Sequence, residues 1–162
     1  MDIATALSFA REFLVLICIF GALFAYAIVR GKRSLIALIL GLYIALLISL
    51  EFPYYEAIFN MTSREGNSEA MVTIGLFAIF TMVSAFLAER LISYEYEERA
   101  FEGIGKKILL AMLGTVLILT YSYHVLPITT IVDPGATISS LFAPPQYFFW
   151  LLMIPLAGLF II

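Results

Sequence analysis

Four stretches of this chain contain no Asp, Glu, Lys, Arg or Pro: residues 13–29, 34–50, 70–88 and 108–125. They hold 17, 17, 19 and 18 residues. As helices, at 1.5 Å per residue, each reaches about 25–28 Å, close to the hydrocarbon thickness of a bilayer. A soluble core helix carries a polar stripe with a 3.6-residue period; these stretches do not. The sequence therefore predicts an all-α fold, a polytopic transmembrane helix bundle.

A fifth apolar run, residues 147–162, is interrupted by Pro155. It is read here as a span, with a re-entrant or interfacial helix as the alternatives. The count is thus four to five spans in one transmembrane domain, residues 1–162. Composition agrees, with 63% hydrophobic and 13% charged residues. Soluble domains run nearer 45–50% and 25%, and a soluble fold of this size could not hide so much apolar surface.

An N-terminal leader is the competing reading of the first run. Phe13–Phe24 resembles an h-region, and Ala25-Tyr26-Ala27 a small-x-small cleavage site. Against it, Asp2, Arg11 and Glu12 give the preceding segment no net positive charge. The first run is therefore expected to stay as a span.

Orientation follows from Lys and Arg. Arg30, Lys32 and Arg33 lie between runs one and two; Arg90, Arg99, Lys106 and Lys107 lie between runs three and four. The other side carries Arg11 and Arg64. Seven against two assigns residues 30–33 and 89–107 to the cytoplasm. The N-terminus, residues 51–69 and residues 126–146 then face outward, and five spans put the C-terminus inside. Aromatics crowd the outer ends as an interfacial belt: Phe52, Tyr54, Tyr55 and Phe59, then Tyr121 and Tyr123, then Tyr147, Phe148, Phe149 and Trp150.

Residues 91–107 form a separate cytoplasmic segment. Tyr94, Phe101, Ile104 and Ile108 recur at helical spacing, and Glu95, Glu97, Glu98 and Glu102 form an acidic surface. One reading is an amphipathic helix that docks a partner through Tyr94, Glu97, Glu98 and Phe101. The other is a helical extension of run three whose aromatics rest on the membrane surface. Its acidic face would be repelled by anionic lipid.

Several chemistries lack their residues. Ion-coupled transport leaves ionisable groups deep in spans, and none is found there. The polar span residues, Ser49, Thr73, Thr81, Ser84, Thr115 and Thr120 with Tyr26 and Tyr43, are read as helix–helix hydrogen-bonding groups. The one histidine, His124, excludes a multi-histidine metalloprotease motif, and the one cysteine, Cys18, excludes an intrachain disulfide. Paired with Asp133 near Glu51 or Glu56, His124 could do outward-facing acid–base work; a lone interfacial histidine is the commoner meaning. No nucleotide loop or nucleic-acid patch is present, and no cofactor is implied. Small residues four apart, Gly21 with Ala25 and Gly41 with Ala45, suggest close packing of the first two spans.

The layout resembles the CvpA-like (colicin V production) membrane protein family. The points of likeness are Arg30-Gly31 directly after the first span, an outer loop after the second, and Gly103 and Gly105 leading into the fourth. They extend over residues 1–125. Lys32-Arg33 replaces the aromatic that often follows Arg-Gly there, and the fifth apolar run replaces the family's polar tail. The resemblance implies a bacterial inner-membrane protein with a role in envelope maintenance or export, and carries over no catalytic residue. Together with the residues, it leads to the expectation of a non-enzymatic membrane or assembly module. Its partners would be the lipid bilayer, a membrane or cytoplasmic protein, or a second copy of the chain. The alternative is a small oligomeric channel or carrier for a neutral or weakly polar solute, which would present Thr73, Thr81 or Thr115 to a polar cavity.

Overall fold

A computed structural model describes residues 3–61, 68–92, 103–126 and 136–161. They form six helices: α1 (Ile3–Glu51), α2 (Tyr55–Met61), α3 (Ser68–Leu91), α4 (Ile104–His124), α5 (Ala136–Phe142) and α6 (Pro145–Ile161). No strand occurs among the described residues. Three of the helices are long and apolar enough to cross a membrane: α1 from Phe13 onward, α3 and α4. That points to an integral membrane protein. The fifth run is the shorter apolar helix α6.

The first two runs share α1, which is broken at one residue. Gly31 has φ 88° and ψ 169°, a combination open in practice only to glycine. A straight helix would separate Leu23 from Ile39 by about 24 Å. Instead both side chains approach one point: a Cβ added at Gly114 would lie 3.0 Å from Leu23 Cδ1 and 3.7 Å from Ile39 Cγ1. Leu23 and Ile39 each stand eight residues from Gly31, so the two arms, residues 3–30 and 32–51, fold back along each other. The expected four-residue turn is thus a single non-helical residue with helix on both sides.

The second arm packs on α3 and α4, and α4 carries α6. The core joins Leu23 and Ala27 of the first arm to Leu35, Ile39, Leu42, Ala45 and Leu46 of the second. Phe77 of α3 and Leu110, Ala111, Leu117 and Tyr121 of α4 complete it. Around this centre large apolar side chains stay uncovered, among them Val29, Leu47, Met82 and Phe160. A water-soluble monomer rarely exposes so continuous an apolar surface; lipid makes it the favourable side.

Close approaches locate the interfaces. A Cβ at Gly41 would sit 2.7 Å from the Ala85 backbone nitrogen, so Gly41, with Ala45 fully buried beside it, seats the second arm on α3. This differs from the expected contact between the first two spans. Gly21 has nothing within 4 Å, and Ala25 is exposed with it. Between the arms, Leu23 and Ile39 instead converge on Gly114 of α4. At the far side of α4, a Cβ at Gly158 would run into Leu113, which fixes how closely α6 lies.

Candidate functional site

The Gly31 end of the bundle gathers Arg30, Lys32, Arg33, Glu89, Arg90, Lys106 and Lys107. Arg33 donates from its guanidinium to the Glu89 carbonyl. Ser34 Oγ lies 2.5 Å from Glu89 Oε1 and 3.2 Å from the Arg30 carbonyl, donating to either. The Arg90 guanidinium rests 4.7 Å from the Phe86 ring centroid, a cation–π contact. Lys107 belongs to the same level. It lies seven residues from Gly114, as Lys32 does from Ile39 and Arg30 from Leu23, about 10 Å along each helix.

The sequence placed Lys106 and Lys107 in a cytoplasmic segment; in the structure both stand in the first turns of α4, with Lys106 exposed and Lys107 1% exposed. Of the residues expected to set topology, Arg30, Lys32, Arg33, Arg90, Lys106 and Lys107 are therefore at one end of the molecule. Arg99 lies outside the described residues, as do Tyr94, Glu97, Glu98 and Phe101, the expected partner contacts.

The opposite end is tied by aromatic and polar contacts. Phe52 packs edge-on against Tyr54, Tyr55 and Phe80 at 5.7, 5.1 and 5.2 Å, and Tyr55 shares a hydrogen bond with Ser49 at 2.8 Å. His124 Nε2 donates to the Phe142 carbonyl at 2.6 Å, and its ring lies 4.6 Å from Phe148. The histidine thus joins the end of α4 to α5 and α6, with Nε2 engaged as a donor. Asp133, its expected companion, lies outside the described residues. Among the described residues no three His, Cys, Asp or Glu side chains are grouped to hold a metal ion.

The span hydroxyls turn back on their own helices. Thr73 donates to the Glu69 carbonyl at 2.9 Å, Thr81 to Phe77 at 2.8 Å, Thr115 to Ala111 at 2.7 Å and Thr120 to Val116 at 2.7 Å. Ser122 donates to Ile118 at 2.8 Å. Such a bond satisfies the hydroxyl and leaves the methyl or methylene facing outward.

Between the second arm, α3 and α4 runs a cleft of about 350 Å³. Leu42, Phe77 and Met82 supply apolar wall, and Thr81 and Ser122 contribute hydroxyls already spent on their own helices. Tyr121 completes the wall. Its ring meets Phe77 edge-on at 5.7 Å and 78°, and its buried hydroxyl has no hydrogen-bond partner among the described residues. The sequence placed Tyr121 in the interfacial belt; the structure buries it, 1% exposed, in the core. The cleft itself left no mark in the sequence, because ordinary core residues line it.

Comparison with family models, with curated proteins and with solved structures finds no match for this chain.

Proposed function

We propose that this chain is a multi-pass inner-membrane protein acting as a non-enzymatic envelope or assembly module, related to the CvpA-like family. The observation that carries this reading is the division of its surfaces. Thr73, Thr81, Thr115, Thr120 and Ser122 make hydrogen bonds inside their own helices, while α3 and α6 offer broad apolar faces to lipid or to other helices. A protein organised in this way acts through what it touches laterally and at its ends. The two arms of α1 cross the membrane separately and α3, α4 and α6 follow, giving five spans, with the Gly31 end in the cytoplasm, the N-terminus outside and the C-terminus inside.

The test is the composition of the assembly in native membranes. Photo-crosslinking from exposed positions on α3 (Ile79, Met82 and Phe86) and from residues 94–102 should recover one discrete partner or a second copy. A chain that crosslinks only to lipid from every position overturns the module. The second reading, an oligomeric channel or carrier for a neutral solute, calls for a polar cavity presenting Thr73, Thr81 or Thr115, whereas the cleft that Thr81 lines is walled by apolar side chains and its hydroxyl is spent on the Phe77 carbonyl. Solute flux into vesicles containing the purified chain would establish it.

A further inference from the structure

We propose that Arg90 near the end of α3, with Arg30 on the adjoining helix, holds the phosphate of an anionic glycerophospholipid whose acyl chains run down the exposed face of α3. The proposal rests on the membrane reading of the chain and not on its orientation. Three observations meet here. The first is where the charge is held. Arg90 is the last residue but one of α3. Its guanidinium folds back one turn toward the middle of the span, 4.7 Å from the Phe86 ring centroid. Phe86, Leu87 and Leu91 around it are 56, 54 and 84% exposed. In a bilayer such a surface faces lipid, and an ionised group there is costly without a counter-charge. The anion found at the edge of the hydrocarbon is the lipid phosphate, which a guanidinium can meet with two parallel N–H donors.

The second observation is that the neighbouring carboxylate is already engaged. Glu89 Oε1 lies 2.5 Å from the buried Ser34 Oγ of the second arm, and the Glu89 carbonyl accepts from the Arg33 guanidinium. Glu89 thus turns into the contact with α1, while Arg90 turns onto the exposed face with Phe86. The third is surplus charge. Ser34 Oγ is also 3.2 Å from the Arg30 carbonyl, so the exposed Arg30 leaves the first arm close to Glu89. Counted with the connecting residues 93–102, this end of the chain carries seven cations against five acids. A surplus of that sign favours a lipid with net negative charge over a zwitterionic one, whose own cation it repels.

The experiment uses the full chain reconstituted in vesicles of equimolar dioleoyl phosphatidylglycerol and dioleoyl phosphatidylcholine. After extraction into mild detergent, retained lipid is counted by mass spectrometry. The wild-type chain should retain phosphatidylglycerol about fivefold over phosphatidylcholine, the effect of one basic residue at an anionic surface. Arg90→Gln should bring the two lipids near parity, and Arg30→Gln should give an intermediate ratio. Phe86→Leu, which keeps the charge and releases the guanidinium, should also lower the ratio. Arg64→Gln, the same change of charge between α2 and α3, should leave it as it was. A diazirine on the acyl chain should label residues 79–87. Equal retention by the wild-type chain, a ratio unaffected by Arg90→Gln, or an equal fall with Arg64→Gln would each overturn the proposal. So would a preference that appears only after Glu95, Glu97 and Glu98 are changed to Gln, since the acidic segment would then be what meets Arg90. Carbonate extraction separates this proposal from the membrane reading. A chain released by carbonate overturns both, and a chain that stays in the membrane without a lipid preference overturns this proposal alone. Arg30 and Arg90 are exposed, so their replacement leaves the core intact.

Discussion

The Tyr43 hydroxyl donates to the Leu152 carbonyl at 2.5 Å, three residues before Pro155. Proline has no N–H, so the carbonyl of Leu151, four residues earlier, loses its intrahelical donor, and the surrounding turn is weakened. The tyrosine supplies a donor from the second arm of α1 to that same turn. The bond therefore supports the disturbed part of α6 and fastens α6 to the bundle.

Tyr43→Phe should keep the ring and remove this bond. We expect a loss of about 0.5–1.5 kcal/mol, read as a lower midpoint of thermal unfolding in detergent. Protease sensitivity should increase at residues 145–161 and stay constant in α3. Uniform loosening of both regions would show that Tyr43 does not act locally on α6.

The two glycines with positive φ should respond differently. Gly31, at φ 88° and ψ 169°, lies where asparagine gains nothing over alanine, so Gly31→Ala and Gly31→Asn should both destabilise by about 1–3 kcal/mol. Gly103, at φ 78° and ψ 23°, is in the left-handed helical region, which asparagine tolerates. Gly103→Asn should therefore be milder than Gly103→Ala. Equal behaviour of Asn and Ala at Gly103 would mean that the conformation there is not what limits substitution.

Gly41 and Gly21 stand in the same small-x-x-x-small pattern, and the structure separates them. Gly41→Leu must push against the α3 backbone at Ala85 and should cost about 1–3 kcal/mol or more. Gly21→Leu meets nothing within 4 Å and should be neutral or slightly stabilising, as leucine is the better helix former. Folded yield and thermal midpoint, compared side by side, decide. A strongly disruptive Gly21→Leu would indicate that the exposed face of the first arm is covered by another chain.

On the orientation proposed above, replacing Arg30, Lys32 and Arg33 together with Gln should weaken retention of the Gly31 turn in the cytoplasm by roughly 3 kcal/mol, at about 1 kcal/mol per charge. Protease protection of a C-terminal tag should become mixed. The change Glu95, Glu97 and Glu98 to Gln should leave it as it was, since acids contribute little to orientation. Unchanged protection after the first replacement would assign topology to Arg90, Arg99, Lys106 and Lys107.

The helices were legible where sequence and solvent impose one rule over many residues. Residues 70–88 fall inside α3 and residues 108–124 inside α4 because nothing in them interrupts an apolar helix. The ends were less legible. The run at 34–50 predicts a second helix but not that a single glycine separates it from the first, since that depends on one residue's dihedral angles. The short helices α2 and α5 were missed: each has seven residues, too few for periodicity to register. Tyr121 was assigned to the belt by its position near a span end. What buries it is Phe77, 44 residues earlier, and no local pattern reports that contact. The same holds for Gly21 and Gly41, identical in spacing and opposite in surroundings.

The fold-back at Gly31 has a kinetic consequence. Leu23 and Ile39 are 16 residues apart, so their meeting closes a short loop with little entropy to lose. Pairing α3 with the second arm, as Gly41 and Ala85 do, spans 44 residues, and Tyr43 reaches Leu152 across 109. Contacts local in sequence form fastest. By sequence separation alone, the hairpin centred on Gly31 is expected to form first and α6 to dock last. Replacements at Gly31 should slow folding, whereas loss of the Tyr43 bond should mainly hasten unfolding.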